Sequence, residues 1–223
     1  MNTKKHTLGA LALALLSGVG AQAAGAGSTF DVNADGWSVS DLPGTSSVSA
    51  SWEAGVIRTD DQFAETSFRA PAKFLGNWSS LYGSTLSFDL TEVSIDSNGA
   101  DYYTALIGSG DQVLYWYGGA PLPTFSTFVA SLSAADTRWR LGGTGFNPAS
   151  GAAPTEAQFQ TILGNVTRLQ INAEFKTGPD DSRLDNVLLG PVPEPASLVL
   201  LALGLGVVIT RVSKTRTQRP SKG

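Results

Sequence analysis

The sequence contains no cysteine, so no disulfide, thiolate nucleophile or Cys-ligated metal can form. Its one histidine is His6 and its one methionine is Met1. If the N-terminal segment is removed, as its pattern below implies, neither remains. Ser-His-Asp and Cys-His nucleophiles and His-ligated zinc are then excluded. Charge is also scarce, at 15% of residues. Between residues 24 and 192 there are eight Lys and Arg against eighteen Asp and Glu, so this body carries about −10. That argues against nucleic acid, whose phosphates need basic patches, and against anionic membrane surfaces. It is compatible with a neutral polysaccharide, or with an anionic one bridged by calcium.

What is present begins with two address-like ends. Residues 1–7 carry Lys4 and Lys5, 8–19 are apolar apart from Gly9, Ser17 and Gly18, and Ala21-Gln22-Ala23 is a small-x-small cleavage signal. The apolar run is too short to span a bilayer, so 1–23 reads as a secretory signal peptide. At the other end, Val192-Pro193-Glu194-Pro195 precedes an apolar run and then Arg211, Lys214, Arg216, Arg219 and Lys222. Residues 196–210 would form a helix of about 22 Å, short for a hydrocarbon core of about 30 Å unless flanking arginines snorkel. The basic tail would stay cytoplasmic and leave the body outside the inner membrane.

This tripartite tail resembles the PEP-CTERM sorting signal of Gram-negative, biofilm-forming bacteria, over about residues 191–219. Pro193, Glu194 and Pro195 match the short motif, and Arg211, Lys214 and Arg216 lie in the membrane-stop tail. The resemblance implies cleavage near the motif by an exosortase, after transient anchoring in the inner membrane. Release or transfer to the cell surface would follow, in association with exopolysaccharide. The motif residues would be substrate, not catalyst.

The body, 24–190, reads as strand after strand. Apolar alternation marks 29–40 (with a turn at 33–36), 48–59, 84–95, 102–107, 113–117, 125–132, 138–141, 166–175 and 184–189. Gly108-Ser109-Gly110-Asp111 is a hairpin signal. One helix is expected after Pro154, with Thr155 and Gln158 as a capping box, Phe159, Ile162 and Leu163 as its apolar face, and Gly164 as its stop. The fold class is all-β: a jelly-roll, galactose-binding-like β-sandwich with one short helix.

Phe30-Asp31-x4-Gly36-Trp37, the stretch Ala70-Pro71-x2-Phe74-Leu75-Gly76-Asn77-x4-Tyr82-Gly83-x2-Leu86-x-Phe88, and Leu184-Asp185-Asn186-Val187-x-Leu189 together resemble the laminin B (laminin IV) domain, over about 28–190. The resemblance implies a jelly-roll sandwich in extracellular, non-enzymatic roles, related in architecture to carbohydrate-binding modules. The animal domains sit among cysteine-rich modules, so matrix partners of the animal kind are not implied.

Three kinds of site can be written on this body. Tyr115, Trp116 and Tyr117 are candidates for stacking on sugar rings. Period-2 geometry puts Tyr115 and Tyr117 on one face and Trp116 on the other. Trp37, Trp52 and Trp78 are expected in the core. Asp31, Asp35 and Asp185, with Asn186, are candidate calcium ligands at the two ends of the domain, although Asp and Asn are also the usual turn residues. Catalysis would need a carboxylate pair for glycoside cleavage. Glu174 is the nearest candidate, and a buried carboxylate capping a turn is the simpler reading of it. The sequence therefore points to an exported, exosortase-processed, non-enzymatic surface or matrix protein. Its expected partners are signal peptidase, the exosortase and exopolysaccharide, not nucleic acid. A carbohydrate-binding module is the alternative, and a small glycosidase the third reading.

Overall fold

The computed structural model describes residues 25–93, 103–142, 151–176 and 178–190. The leader, the sorting motif Pro193-Glu194-Pro195 and the tail with Arg211, Lys214 and Arg216 lie outside the described residues. Among the described residues no helix is long and apolar enough to cross a membrane.

The strands are β1 (Ala26–Ser28), β2 (Ser38–Ser40), β3 (Ser47–Ser49), β4 (Ser51–Glu53), β5 (Val56–Asp60), β6 (Ser67–Arg69), β7 (Thr85–Glu92), β8 (Ala105–Ser109), β9 (Gln112–Trp116), β10 (Ser126–Ser131), β11 (Trp139–Gly142), β12 (Arg168–Asn172) and β13 (Asp181–Leu189), with helix α1 (Glu156–Leu163) before β12. They form two antiparallel sheets. One has the order β10-β7-β13-β5-β4, with β1 also paired to β13. The other has the order β11-β9-β8-β12-β6-β2-β3. The all-β sandwich with one short helix is thus as expected.

Alternation builds the interior. On β7, Leu86, Phe88 and Leu90 are buried, and Leu86 and Phe88 pair in register with Ala130 and Phe128 of β10. From the second sheet come Val39, Phe68, Ile107, Leu114, Trp116, Trp139, Leu169 and Ile171. Burying a side chain of this size stabilises by about 1.5–3 kcal/mol. On β13 the buried residues are Ser182, Leu184, Val187 and Leu189, a change of phase that strict alternation forbids. The change is made at Asn186, whose φ is 49°, where the pairing with β7 slips between Asp185 and Leu188. Asn tolerates the left-handed region better than most residues, so a bulge can form there at modest cost.

Three details differ from the sequence expectation. The segment 29–37 is a loop, not a strand. Phe30 and Trp37 plug into the core from it, with ring centroids 6.0 Å apart. The strand β6 was not expected, because only Phe68 marks it. Trp52 is 42% exposed, not core. The chain leaves one sheet at β3 and enters the other at β4, so Trp52 sits on an edge strand and donates its indole N–H to the Phe30 carbonyl at 2.6 Å.

Helix α1 forms as its sequence dictates. Thr155 Oγ1 accepts from the Gln158 amide at 3.3 Å, and Gln158 Oε1 accepts from the Thr155 amide at 2.9 Å. Phe159 then stacks edge-on against Trp139, 5.4 Å between centroids, and Trp139 packs on Trp116 at 6.4 Å. Each buried indole N–H has an acceptor: Ser131 O for Trp139 and Asp136 Oδ2 for Trp116.

Candidate functional site

The seven-stranded sheet has a second face, turned away from the sandwich core, and it is neither flat nor bare. On β12, Leu169 and Ile171 point into the core, so Arg168, Gln170 and Asn172 point outward. Cross-strand pairing then lines up Arg140, Tyr115, Leu106, Gln170, Arg69 and Ser38 in one row across six strands. A small apolar cluster of Leu42, Tyr103, Leu106, Val113 and Tyr115 sits on this face, with Tyr117 at its margin. Tyr103 and Tyr115 meet edge to face at 5.4 Å, and the Tyr103 hydroxyl shares a hydrogen bond with Ser67 Oγ at 2.9 Å.

A strap, residues 41–46, lies over part of the face. Arg168 Nη1 donates to the carbonyls of Leu42 (3.0 Å) and Pro43 (2.7 Å), Arg69 Nη1 to Gly44 O (3.0 Å), and Gln170 Nε2 to Asp41 O and Ser40 Oγ (both 2.9 Å). Gly44 has φ +73° and lies against both guanidinium stems. Burial lowers the Arg168 pKa and raises those of Tyr103 and Tyr115. Burial also pushes Tyr117 up to about 12. All three phenols therefore stay neutral donors at ordinary pH. Two buried polar atoms on this face have no partner: the Tyr117 hydroxyl and Gln170 Oε1.

The stacking candidates divide accordingly. Trp116 is 1% exposed in the sandwich core and Tyr115 is 1% exposed under the outer cluster, so neither can offer its ring to a sugar. The alternation expected of them holds, but both faces of β9 are covered. Only Tyr117 is half-open. The structure adds Arg69, Arg140, Arg168 and Gln170, which the sequence reading passed over. The signal available was the polar alternation Arg168-x-Gln170-x-Asn172 within an otherwise apolar strand.

The calcium candidates also separate. Lys73 forms an ion pair with Asp35, and Ser28 donates to the same carboxylate at 2.7 Å. Partial burial works to raise the Asp35 pKa, but these two partners outweigh it and hold the group low. Asp31 instead accepts from Thr29 Oγ1 at 2.6 Å. Asp185 bonds to Asn186, and burial together with nearby Asp89 and Asp31 raises its pKa. Among the described residues no three acidic groups are placed to hold a metal ion. In this structure Lys73 pairs with Asp35, and Asp31 and Asp185 engage neighbours in the chain, so the three expected calcium ligands each have a local partner.

Glu174 is the buried turn carboxylate that the simpler reading expected. It exchanges hydrogen bonds with Asn172, whose Nδ2 donates to Glu174 O at 2.7 Å and whose Oδ1 accepts from Glu174 N at 3.3 Å. Its carboxyl lies within hydrogen-bonding reach of Asp180, and Glu92 is close behind. Burial, then Asp180, pushes Glu174 up to about 8; burial, then Glu92, pushes Asp180 up to about 7. Asp180 Oδ1 has no donor, and a protonated Glu174 can supply one. Glu174 and Asp180 are only 8% and 4% exposed, so a polymer substrate cannot reach them and the pair does not make a glycosidase site.

Comparison with known proteins agrees with this architecture. The Laminin B (Domain IV) family model matches residues 67–195. Human laminin subunit gamma-1 is 30% identical over 176 residues, 74% of this chain and 10% of the subunit. Human laminin subunit gamma-2 is 32% identical over 171 residues, 73% of this chain and 13% of the subunit. The chain thus spans about a tenth of the laminin subunits it matches. The L4b domain of human laminin alpha-2 superimposes with a TM-score of 0.60 at 13% identity, covering 75% of this chain and 98% of that domain. With the family model matching more than half of its length, the chain belongs to the Laminin B (Domain IV) family.

Proposed function

We propose that this chain is an exported, non-enzymatic surface or extracellular-matrix protein, built as a Laminin B body between a cleavable leader and a C-terminal sorting signal. The observation that carries the reading is the sequence order: Lys4, Lys5 and an apolar run before Ala21-Gln22-Ala23, the body, then Pro193-Glu194-Pro195, a second apolar run and an all-basic tail. Export machinery reads the first pattern. The second holds the body outside the inner membrane until an exosortase cuts it free. Laminin B membership of the body supports an extracellular role.

The test is fractionation of producing cells with and without their exosortase. The reading predicts the body at the cell surface or in the medium of the first, and a membrane-held, untrimmed chain in the second. Full-length chain in the cytosol of both would contradict it.

A second reading, glycan binding by the body, is favoured by one specific observation. The Tyr117 ring is half-open on the outer face of the seven-stranded sheet, at the margin of its apolar cluster. A half-open aromatic ring on a sheet face suits the apolar side of a sugar ring. Retention of the chain on immobilised polysaccharide, weakened by Tyr117→Ala, is the outcome this reading predicts.

A further inference from the structure

Glu92, Glu174 and Asp180 place three carboxyl groups inside one end of the sandwich, with exposures of 0%, 8% and 4%. They come from both sheets. Glu174 follows β12 and accepts from the amide of Thr66, which precedes β6, at 3.5 Å; β6 and β12 are neighbours in the seven-stranded sheet. Asp180 precedes β13, and Glu92 ends β7; β7 and β13 are neighbours in the six-stranded sheet. Ser182 Oγ of β13 sits between Glu92 Oε2 and the carbonyl of Ala173, so it too reaches from one sheet to the other. At this end the sheets are joined by polar groups as well as by apolar packing.

The charges at this junction do not balance. Asp61, from the segment before β6, faces both Glu174 and Asp180; Glu92, from β7, and Lys176, from the connection, face Asp180. Four carboxyl groups thus meet one lysine. Asp181, next along the chain, turns to Arg58 and Arg183. Donors are short as well: Asp180 Oδ2 takes the Phe175 amide at 3.3 Å, and its Oδ1 takes none. Burying anions on these terms is costly. A proton held between Glu174 and Asp180 removes one charge and supplies the missing donor. It also ties the end of β12 to the start of β13, and so one sheet to the other. Burial above all, with the neighbouring carboxyls, is what keeps that proton on at neutral pH.

We infer that this end of the sandwich is a proton-held joint, closed while Glu174 and Asp180 share a proton and parted locally when both ionise in alkaline surroundings. Two carboxylates in one buried spot repel, and water is the nearest relief. Parting the joint breaks the Thr66–Glu174 contact and frees the connection from β12 to β13. The rest of the sandwich has no reason to follow. Further along β7, Phe88 stacks on Phe128, Phe128 meets Trp116, and Trp116 packs on Trp139, and none of these rings titrates. The device is therefore a local opening at one end, set by pH, on a body that stays folded. Its sign follows from the raised carboxyls: closure is complete in mild acid and is lost as pH rises through about 7 to 8.

The test is limited tryptic digestion of the full chain in mild detergent, at pH 6.5 and pH 8.5, with the cuts located by mass. Lys176 lies in the connection, whereas Arg58, Arg69 and Arg168 lie in strands β5, β6 and β12. Two variants, Glu174→Gln and Asp180→Asn, each keep a hydrogen-bonding side chain and remove one ionisation; a variant that circular dichroism shows to be unfolded at pH 6.5 is set aside for the other. At pH 8.5 the wild type should be cut after Lys176 about tenfold faster than the variants, with the strand arginines intact. At pH 6.5 wild type and variants should be cut alike. Equal cutting of wild type and variants at pH 8.5 would overturn the proposal. So would simultaneous cutting at Lys176 and at the strand arginines, which would mean that the whole body opens, and so would resistance of the wild type at both pH values. If neither variant folds at pH 6.5, the wild type alone decides: cutting after Lys176 must rise from pH 6.5 to pH 8.5 relative to cutting at the strand arginines, and a constant ratio overturns the joint.

Discussion

At the scale of single residues, the carboxyl pair Glu174 and Asp180 gives stability an unusual pH dependence. Both groups hold their protons to about 8 and about 7 in the folded protein, and release them near the ordinary carboxylate range when unfolded. The folded state therefore binds more protons between about pH 4 and pH 8, and stability falls as pH rises through that window. Most carboxylates act in the opposite sense. Glu174→Gln keeps a hydrogen-bond donor next to Asp180 but no longer titrates. Thermal melts at about pH 5 and about pH 8 should show a drop for the wild type and a smaller drop for the variant; equal drops would contradict the assignment. Trp37 makes a second residue-scale prediction. It is 2% exposed, stacks on Phe30 and Phe74, and donates to Ser28 Oγ at 2.9 Å. Trp37→Ala should cost about 3–5 kcal/mol in denaturant unfolding. The burial of Trp37 and Trp78 was legible in the sequence, because a small sandwich has few other places for such rings. The exposure of Trp52 was not. It depends on the chain changing sheets between β3 and β4, and alternation looks the same on an edge strand as on a central one.

At the scale of elements, local chemistry was the more readable part. Thr155 and Gln158 announce α1, and both halves of their capping box are present. Thr155→Ala should cost about 1 kcal/mol, measured by chemical denaturation, since it removes the acceptor for an end amide. The Gly110-Asp111 turn joins β8 to β9 with Gly110 at φ +58°, as the hairpin signal implied. The bulge on β13 makes a sharper prediction. Asn186 is left-handed, so Asn186→Gly should leave stability within a few tenths of a kcal/mol, while Asn186→Val should cost about 1–2 kcal/mol or more. Equal effects of the two would show that side-chain bonding to Asp89 and Asp185, not backbone shape, fixes the bulge. Strand β6 escaped notice for a physical reason. Of its three residues only Phe68 is apolar, and Ser67 is buried through a hydrogen bond to Tyr103 that no local pattern reveals. The outer face of the seven-stranded sheet escaped for the same reason. Arg69, Arg140 and Arg168 are far apart in sequence, and only strand pairing places them together.

At the scale of the whole molecule, composition and turn spacing were enough to give two packed antiparallel sheets, because short alternating strands must bury one face each. The charge pattern needed the fold. A body of about −10 carries an arginine-bearing strip on one sheet, while its other described basic groups with ion pairs are neutralised locally. The account as a whole stands on the claim that this Laminin B body is delivered outside the cell and trimmed at both ends. The most direct test is the intact mass of the chain recovered from outside producing cells. The account predicts a species that begins at Ala24 and ends close to Pro193-Glu194-Pro195, without the apolar run or the basic tail. A recovered chain of all 223 residues, with Met1 and Gly223 in place, would contradict it.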